Sequence, residues 1–395
     1  MKTIKWGFLI SLFLLSSTSC QSQATLFSPV FLSTLNHLLQ IHYEPPRPQD
    51  EQIIDNVLLE PTEELVVIGA FGFSEEVNPL TGLVVEDPQI LDRRPVLTKI
   101  SNFPPVGRPH AGLSYADIVF EYYIGEWTNR FLALFYSHDV NEAWPLRSGR
   151  LVDSQLTKMY QGVLSYGNAD PRVDEILVRD LGDRAISFNE APCPAICGKA
   201  THSATGVHVN TAELSRYASD IGLDNSRHNL DGMLFSETPP ISDQYGVWIS
   251  VQYIRWNRGE WFYDSNKHLY MRWIESWDYG DEYPMIPLVD KLNGEQIAFS
   301  NIIIIFANYI EYAPTLHDID IWENTKGQRA LIFRDGIVID GYWRSQGDEH
   351  PIQFLNQWGL PVALKPGSTW IVIAGNNSTV ENPGEGQWQV LFDIP

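Results

Sequence analysis

Apolar residues recur every second position along much of this 395-residue chain and every third or fourth position in only a few places. The segments 94–100 (RPVLTKI), 116–124 (ADIVFEYYI) and 130–137 (RFLALFYS) alternate or are rich in β-branched and aromatic residues, which predicts strands. Helical spacing appears over 151–160 (LVDSQLTKMY), 172–181 and 211–221, with Thr211 placed to cap the last of these. A short apolar run at 163–166 predicts another strand between the first two helices.

From about residue 240 the helical spacing fades. Strands are predicted at 247–255 (VWISVQYIR), 261–263, 268–273, 298–307 and 370–374. Residues 330–341 (ALIFRDGIVIDG) predict a hairpin. Asp335-Gly336 sits between two apolar runs, and Asp-Gly suits a two-residue turn that needs positive φ. The expected fold class is α+β: a mixed α/β N-terminal domain over 78–238, then a mostly antiparallel, β-rich C-terminal domain over 239–395.

The first 77 residues have a different texture. Lys2 and Lys5 precede an apolar run from Trp6 to Leu15, and small residues lead up to Cys20. A basic start, a short apolar run and small residues before a cut predict a secretory signal over 1–20. The run is shorter than the roughly 20 residues a membrane-spanning helix needs. Cys20 occupies the place of an acylated cysteine, although Ser17 stands where a lipobox has Leu. Segment 21–77, with its polar, Pro-rich stretch 44–52 (EPPRPQDEQ), is expected to be a tether. Its apolar patch 65–73 (LVVIGAFGF) is a candidate added strand. The expected location is extracytoplasmic, held to the membrane by lipid on Cys20 or otherwise secreted.

Charge narrows the partners. The formal net charge is −22, and −24 once Lys2 and Lys5 leave with the signal. A chain this acidic is repelled by phosphate backbones, so no nucleic-acid partner is expected. Cys193 and Cys197 are the other two cysteines. In an oxidising compartment a pair this close reads first as a small-loop disulfide. Free thiols, or a metal site completed by His202 and His208, are the alternatives.

Several strings carry a family resemblance: Asn78-Pro-Leu-Thr-Gly-Leu, Arg94-Pro-Val, Lys99-Ile-Ser-Asn, Ala116-Asp-Ile-Val-Phe-Glu-Tyr, Arg130-Phe-Leu-Ala-Leu-Phe-Tyr-Ser and Pro145-Leu-Arg-Ser-Gly-Arg. In the C-terminal part they are 327–343 (GQRALIFRDGIVIDGYW) and Leu364-Lys-Pro-Gly-Ser-Thr-Trp-Ile. Over roughly residues 78–375 the chain resembles the YerB-like lipoproteins, an uncharacterised bacterial family with an N-terminal and a C-terminal domain. The resemblance implies an exported lipoprotein and no agreed reaction. Arg147, Ser148 and Arg150 match the family's two arginines around a serine, and His208-Val-Asn210 loosely matches a later His-Asn feature.

The segment 145–153 (PLRSGRLVD) is the best site candidate. Arg147 and Arg150 offer forked donors that suit carboxylate or phosphate, and a helix start beside them adds free N–H groups. Pairing with Asp153, Asp117 or Glu121 is the structural alternative. Ser148 lacks a G-x-S-x-G or S-x-x-K context. Asn168 and Asp170 follow a predicted strand and are candidates for the same cleft, unless they only form a turn. His208 and Asn210 complete the candidate ligand-binding set of Arg147, Ser148, Arg150, Asp153, Asn168, Asp170, His208 and Asn210. Trp256, Trp261, Trp273 and Trp277 could stack on sugar rings if exposed. Nucleotide, dinucleotide and zinc-protease fingerprints are missing, and no cofactor or resident metal is expected. The leading expectation is an envelope protein that binds an anionic wall component or a protein partner. A cell-wall hydrolase or transferase, and a structural or interaction module, stand beside it.

Overall fold

The fold was obtained as a computed structural model, which describes residues 67–103, 105–200, 205–322 and 324–394. The predicted signal, Cys20, most of the tether and His202 lie outside these residues. Among the described residues no helix is long and apolar enough to cross a membrane.

Two sheets and three α-helices organise the described chain. In chain order they are β1 (Val96–Ser101), β2 (Ile118–Gly125), β3 (Thr128–Phe135), α1 (Leu151–Met159), β4 (Val163–Tyr166), α2 (Pro171–Leu181), β5 (Ala185–Ser187) and α3 (Thr211–Asp220). Then follow β6 (Trp248–Ile254), β7 (Asn257–Asp264), β8 (Leu269–Glu275), β9 (Asn301–Ala313), β10 (Leu316–Asp320), β11 (Gln328–Arg334), β12 (Ile337–Arg344), β13 (Gln353–Leu355), β14 (Thr369–Gly375) and β15 (Gln387–Leu391). Shorter strands flank these. Val67–Gly69, inside the apolar patch of the tether region, pairs with Leu234–Ser236.

The central sheet has 11 strands and runs β13-β12-β11-β9-β14-β2-β3-β1-β4-β5, with β10 paired to β9. It is mixed. β14 lies parallel to both β9 and β2, while β2, β3 and β1 are successively antiparallel. Strands from either side of residue 239 thus share one sheet. The reason is legible in composition. Ile302–Ile305 and Trp370–Ala374 are apolar on consecutive residues and fully buried, so both of their faces need cover.

The second sheet centres on β8-β7-β6-β15. It is antiparallel except where β15 joins β6 in parallel. Among the described residues the protein is therefore mostly β and its α-helices all precede Ile221, while the C-terminal part expected to be mostly antiparallel also carries parallel pairings through β14 and β15. The strand predicted over 298–307 is in fact two. Ala298–Phe299 pairs with β8, and the chain crosses at Ser300 to start β9 in the central sheet. The predicted hairpin is β11–β12. Asp335 (φ 49°) and Gly336 (φ 75°) form its turn, both on the positive side that a primed hairpin turn requires.

Strand period sets the layers. Successive side chains on β2 point to opposite faces. Phe120 meets Tyr160 at the end of α1 with ring centroids 5.3 Å apart, and Tyr122 bonds Asp153 on α1. Glu121 points the other way and pairs with Arg272 of β8 at 3.2 Å. Both groups of that pair are buried. Trp370 Nε1 also donates to Glu121 at 3.0 Å, as does Asn129. The Arg272 guanidinium lies 4.1 Å from the Trp261 ring centroid and 5.1 Å from that of Trp370. Gly259 leaves room for it, since a Cβ there would stand 1.9 Å from an Arg272 nitrogen. Removing one partner of a buried, hydrogen-bonded ion pair strands the other charge and typically costs about 3–5 kcal/mol. Glu121→Ala is therefore expected to lower unfolding free energy by about that amount, measured by urea denaturation; a loss below ~1 kcal/mol would contradict the inter-sheet role.

Candidate functional site

The candidate site is built on the helix-bearing face of the central sheet. Register places Ser101, Arg130 and Tyr122 in one row across β1, β3 and β2. Lys99 lies two residues before Ser101 on the same face. β4 pairs with β1 only as far as Thr98. Beyond that point the segment 145–147 takes the edge of β1: Ser101 donates to the Pro145 carbonyl at 3.0 Å and Arg147 to the Lys99 carbonyl at 2.9 Å. This backbone pairing sets the loop 147–150 over the row.

Beneath the loop, Asp153 ties three elements together. One carboxylate oxygen accepts from the Lys99 ammonium at 3.0 Å and from the Tyr122 hydroxyl. The other accepts the Arg150 backbone N–H at 2.7 Å, which caps α1. Lys99, Tyr122 and Asp153 are fully buried. Burial is the chief force on both proton-bearing partners. It holds Lys99 down to about 7 despite Asp153, with Arg130 and Arg150 adding repulsion, and it raises Tyr122 well above its ordinary range.

Three guanidiniums converge around this base. Arg130 is buried and donates to the Ser148 carbonyl at 2.9 Å, while its Nε has no partner among the described residues. Arg147 donates to Ser101 Oγ at 3.1 Å and to the Phe103 carbonyl at 3.4 Å. Arg150 donates to the Gly149 carbonyl at 2.8 Å, and its Nε is likewise buried without a partner. Among the described residues no carboxylate oxygen comes within 4.0 Å of any of the three. Asp153, the nearest acid in the chain, is occupied by Lys99 and Tyr122. Burial is the largest cause lowering all three arginine pKa values. Arg150 further disfavours charge on Arg147, and Arg150 and Arg147 do so on Arg130, while Asp153 and Tyr122 favour the charge on Arg150 and Arg130 from beyond ion-pair distance. The expected alternative of native ion pairing fails for Arg147 and Arg150 because Asp117 and Glu121 are committed elsewhere. Asp117 accepts from Asn78, Tyr136 and Ser137, and Glu121 faces the second sheet.

The other sequence candidates take varied places. The loop 167–170 crosses 147–150, with Gly167 donating to the Arg147 carbonyl at 2.7 Å and Gly149 to the Asn168 carbonyl at 3.2 Å. Asn168 thus lies beside Arg147, its side chain accepting from Asn189. Asp170 caps α2 and grips Arg172. Those hydrogen bonds, more than nearby Arg150, hold its carboxyl at about 2. Asn210, rather than Thr211, caps α3 by accepting the Glu213 N–H at 3.1 Å; Thr211 instead donates to Asp139. His208 sits on Val207–Val209 opposite Cys197, and no described contact joins it to the arginines. Cys193 and Cys197 are joined as a disulfide, with Cα atoms 4.6 Å apart. Among the described residues no group of three or more His, Cys, Asp and Glu is placed to hold a metal. Trp261 is fully buried against Trp370, which removes it from the candidate sugar platform.

Sequence reasoning missed Lys99, Ser101, Tyr122 and Arg130 as site members. All four lie in the strings that carry the family resemblance. Residues 80–220 match the N-terminal domain, and residues 249–371 the C-terminal domain, of a protein family of unknown function, DUF3048. The chain belongs to the YerB-like proteins built from these two domains. It is 27% identical over 317 residues to the Bacillus subtilis (strain 168) protein named "Putative lipoprotein YerB", covering 78% of this chain and 89% of that one. The crystal structure of YerB protein from Bacillus subtilis superposes with a TM-score of 0.60 at 24% identity. The match covers 75% of this chain and 96% of that one, and it shows a shared fold.

Lys99 has a consequence for stability. Between about pH 7 and about pH 10 an unfolded chain holds a proton on this lysine that the folded chain has released. Stability from this group therefore rises with pH across that window. Urea unfolding at pH 7, 8 and 9 is expected to show the wild type gaining on Lys99→Met; a constant difference would contradict the buried environment assigned to Lys99.

Proposed function

We propose that this protein is an extracytoplasmic, lipid-anchored protein that holds an anionic group of a wall component or protein partner against Arg130, Arg147 and Arg150. One observation carries the reading: three crowded guanidiniums lack an ion-paired carboxylate among the described residues of a chain of net charge −22. With 49 Asp and Glu against 27 Lys and Arg, neutralising partners are abundant elsewhere. Leaving three cations together without one costs stability, through desolvation and mutual repulsion. An incoming carboxylate or phosphate offsets that cost, because planar guanidiniums match its oxygens bidentately. Ser148 lies between the two half-buried arginines, where its hydroxyl can join the same ligand. The anchor is supported by the N-terminal pattern ending in Cys20 and by the printed name of the Bacillus subtilis relative.

Co-sedimentation of purified protein with isolated cell-wall fractions tests the binding. Arg147→Ala and Arg150→Ala are each expected to weaken it about tenfold, the effect of losing one charge-assisted contact. Binding that survives both substitutions in folded protein would remove the arginines from the site.

A further inference from the structure

Phe103 links the arginine cluster to aromatic residues in the turn between β6 and β7 and in the loop after β8. Its carbonyl accepts from Arg147 at 3.4 Å and from Ser101 Oγ at 2.7 Å. Its ring meets Trp256 and Trp277 with centroids 5.7 and 5.9 Å apart. The two indoles stand 5.7 Å from one another at 72°, and Trp277 meets Tyr283 at 5.1 Å. Every contact is edge to face, so the rings brace each other in fixed orientations. Yet Trp277 remains 41% exposed, whereas Trp261 and Trp370 are fully buried. A large indole fixed by three neighbours and still open to solvent is a platform rather than core.

Resting on the anion-binding reading above, we propose that the ligand is a sparsely charged anionic glycan: one sugar ring stacks on Trp277 while a phosphate or carboxylate on the same or the next residue reaches Arg147. A bare anion would use the arginines alone, and an apolar peptide the indoles alone. A sugar presents a flat C–H face for an aromatic ring together with a charged substituent, which matches both surfaces at once. Sparse charge fits the rest of the molecule. A ligand with a phosphate on every unit would be repelled by the net −22 outside the cluster, which disfavours single-stranded nucleic acid despite its stacking bases.

Isothermal titration of the full chain with four probes tests this: inorganic phosphate, a neutral N-acetylglucosamine tetrasaccharide, that tetrasaccharide bearing one 6-phosphate, and a single-stranded tetranucleotide. The phosphorylated tetrasaccharide is expected to bind about tenfold more tightly than either phosphate or the neutral sugar, a gain typical of one aromatic stack. Trp277→Ala should erase that gain, and Trp277→Phe should retain most of it. If phosphate binds but the phosphorylated sugar binds no better, the glycan assignment falls while the arginine site stands. If no phosphate-bearing probe binds, both fall. A tetranucleotide that binds as tightly as the phosphorylated sugar would overturn the choice of glycan.

Discussion

The two-sidedness of β2 is the constraint on which the rest of this structure depends. Glu121 and Tyr122 are neighbours in sequence, and the strand repeat sends them to opposite faces. Glu121 fastens the second sheet through Arg272, inside a sleeve of Trp261 and Trp370. Tyr122 fastens α1 through Asp153, which also receives Lys99. A shift of one residue in register would exchange these faces, leaving a carboxylate against the helix and a phenol against Arg272. The same alternation that closes the core thus fixes where α1 begins, and with it the position of the arginine loop.

The site follows from how charge is distributed over that frame. Asp153 is spent on Lys99, Tyr122 and the cap of α1, and Asp117 on the turn that opens with Asn78. The guanidiniums of Arg130, Arg147 and Arg150 are left with carbonyl and hydroxyl acceptors. Carbonyls orient a guanidinium but do not neutralise it. The chain therefore holds a concentrated positive spot against a strongly negative background, which favours the approach of a single anionic group over that of a polyanion.

Much of the scaffold was legible in the sequence because it is locally encoded. The alternation of RPVLTKI and ADIVFEYYI located β1 and β2, helical spacing located α1 to α3, and Asp335-Gly336 located the β11–β12 turn. What escaped depends on partners distant in the chain. The parallel pairing of β14 with β2 joins segments some 250 residues apart, so no local pattern marks it. The break at Ser300 reflects a crossing between sheets that an unbroken apolar run conceals. Arg147 and Arg150 stood out because they flank a helix start. Lys99 and Arg130 did not, because a lone cation within an alternating strand usually marks a solvent face. Here that face lies under α1 and the 147–150 loop. Trp261 and Trp277 were alike in sequence, and only the fold separates the buried ring from the exposed one.

The central claim is that Arg130, Arg147 and Arg150 are held together, charged, and open to an outside anion. Arginine side-chain 15N resonances report this most directly, because the buried Nε groups of Arg130 and Arg150 have no partner among the described residues. On titrating inorganic phosphate into the 15N-arginine-labelled chain, the Nε signals of these three arginines should shift together and saturate, while those of Arg272 and Arg334 stay in place. Signals from the three that remain unmoved up to millimolar phosphate would contradict the account.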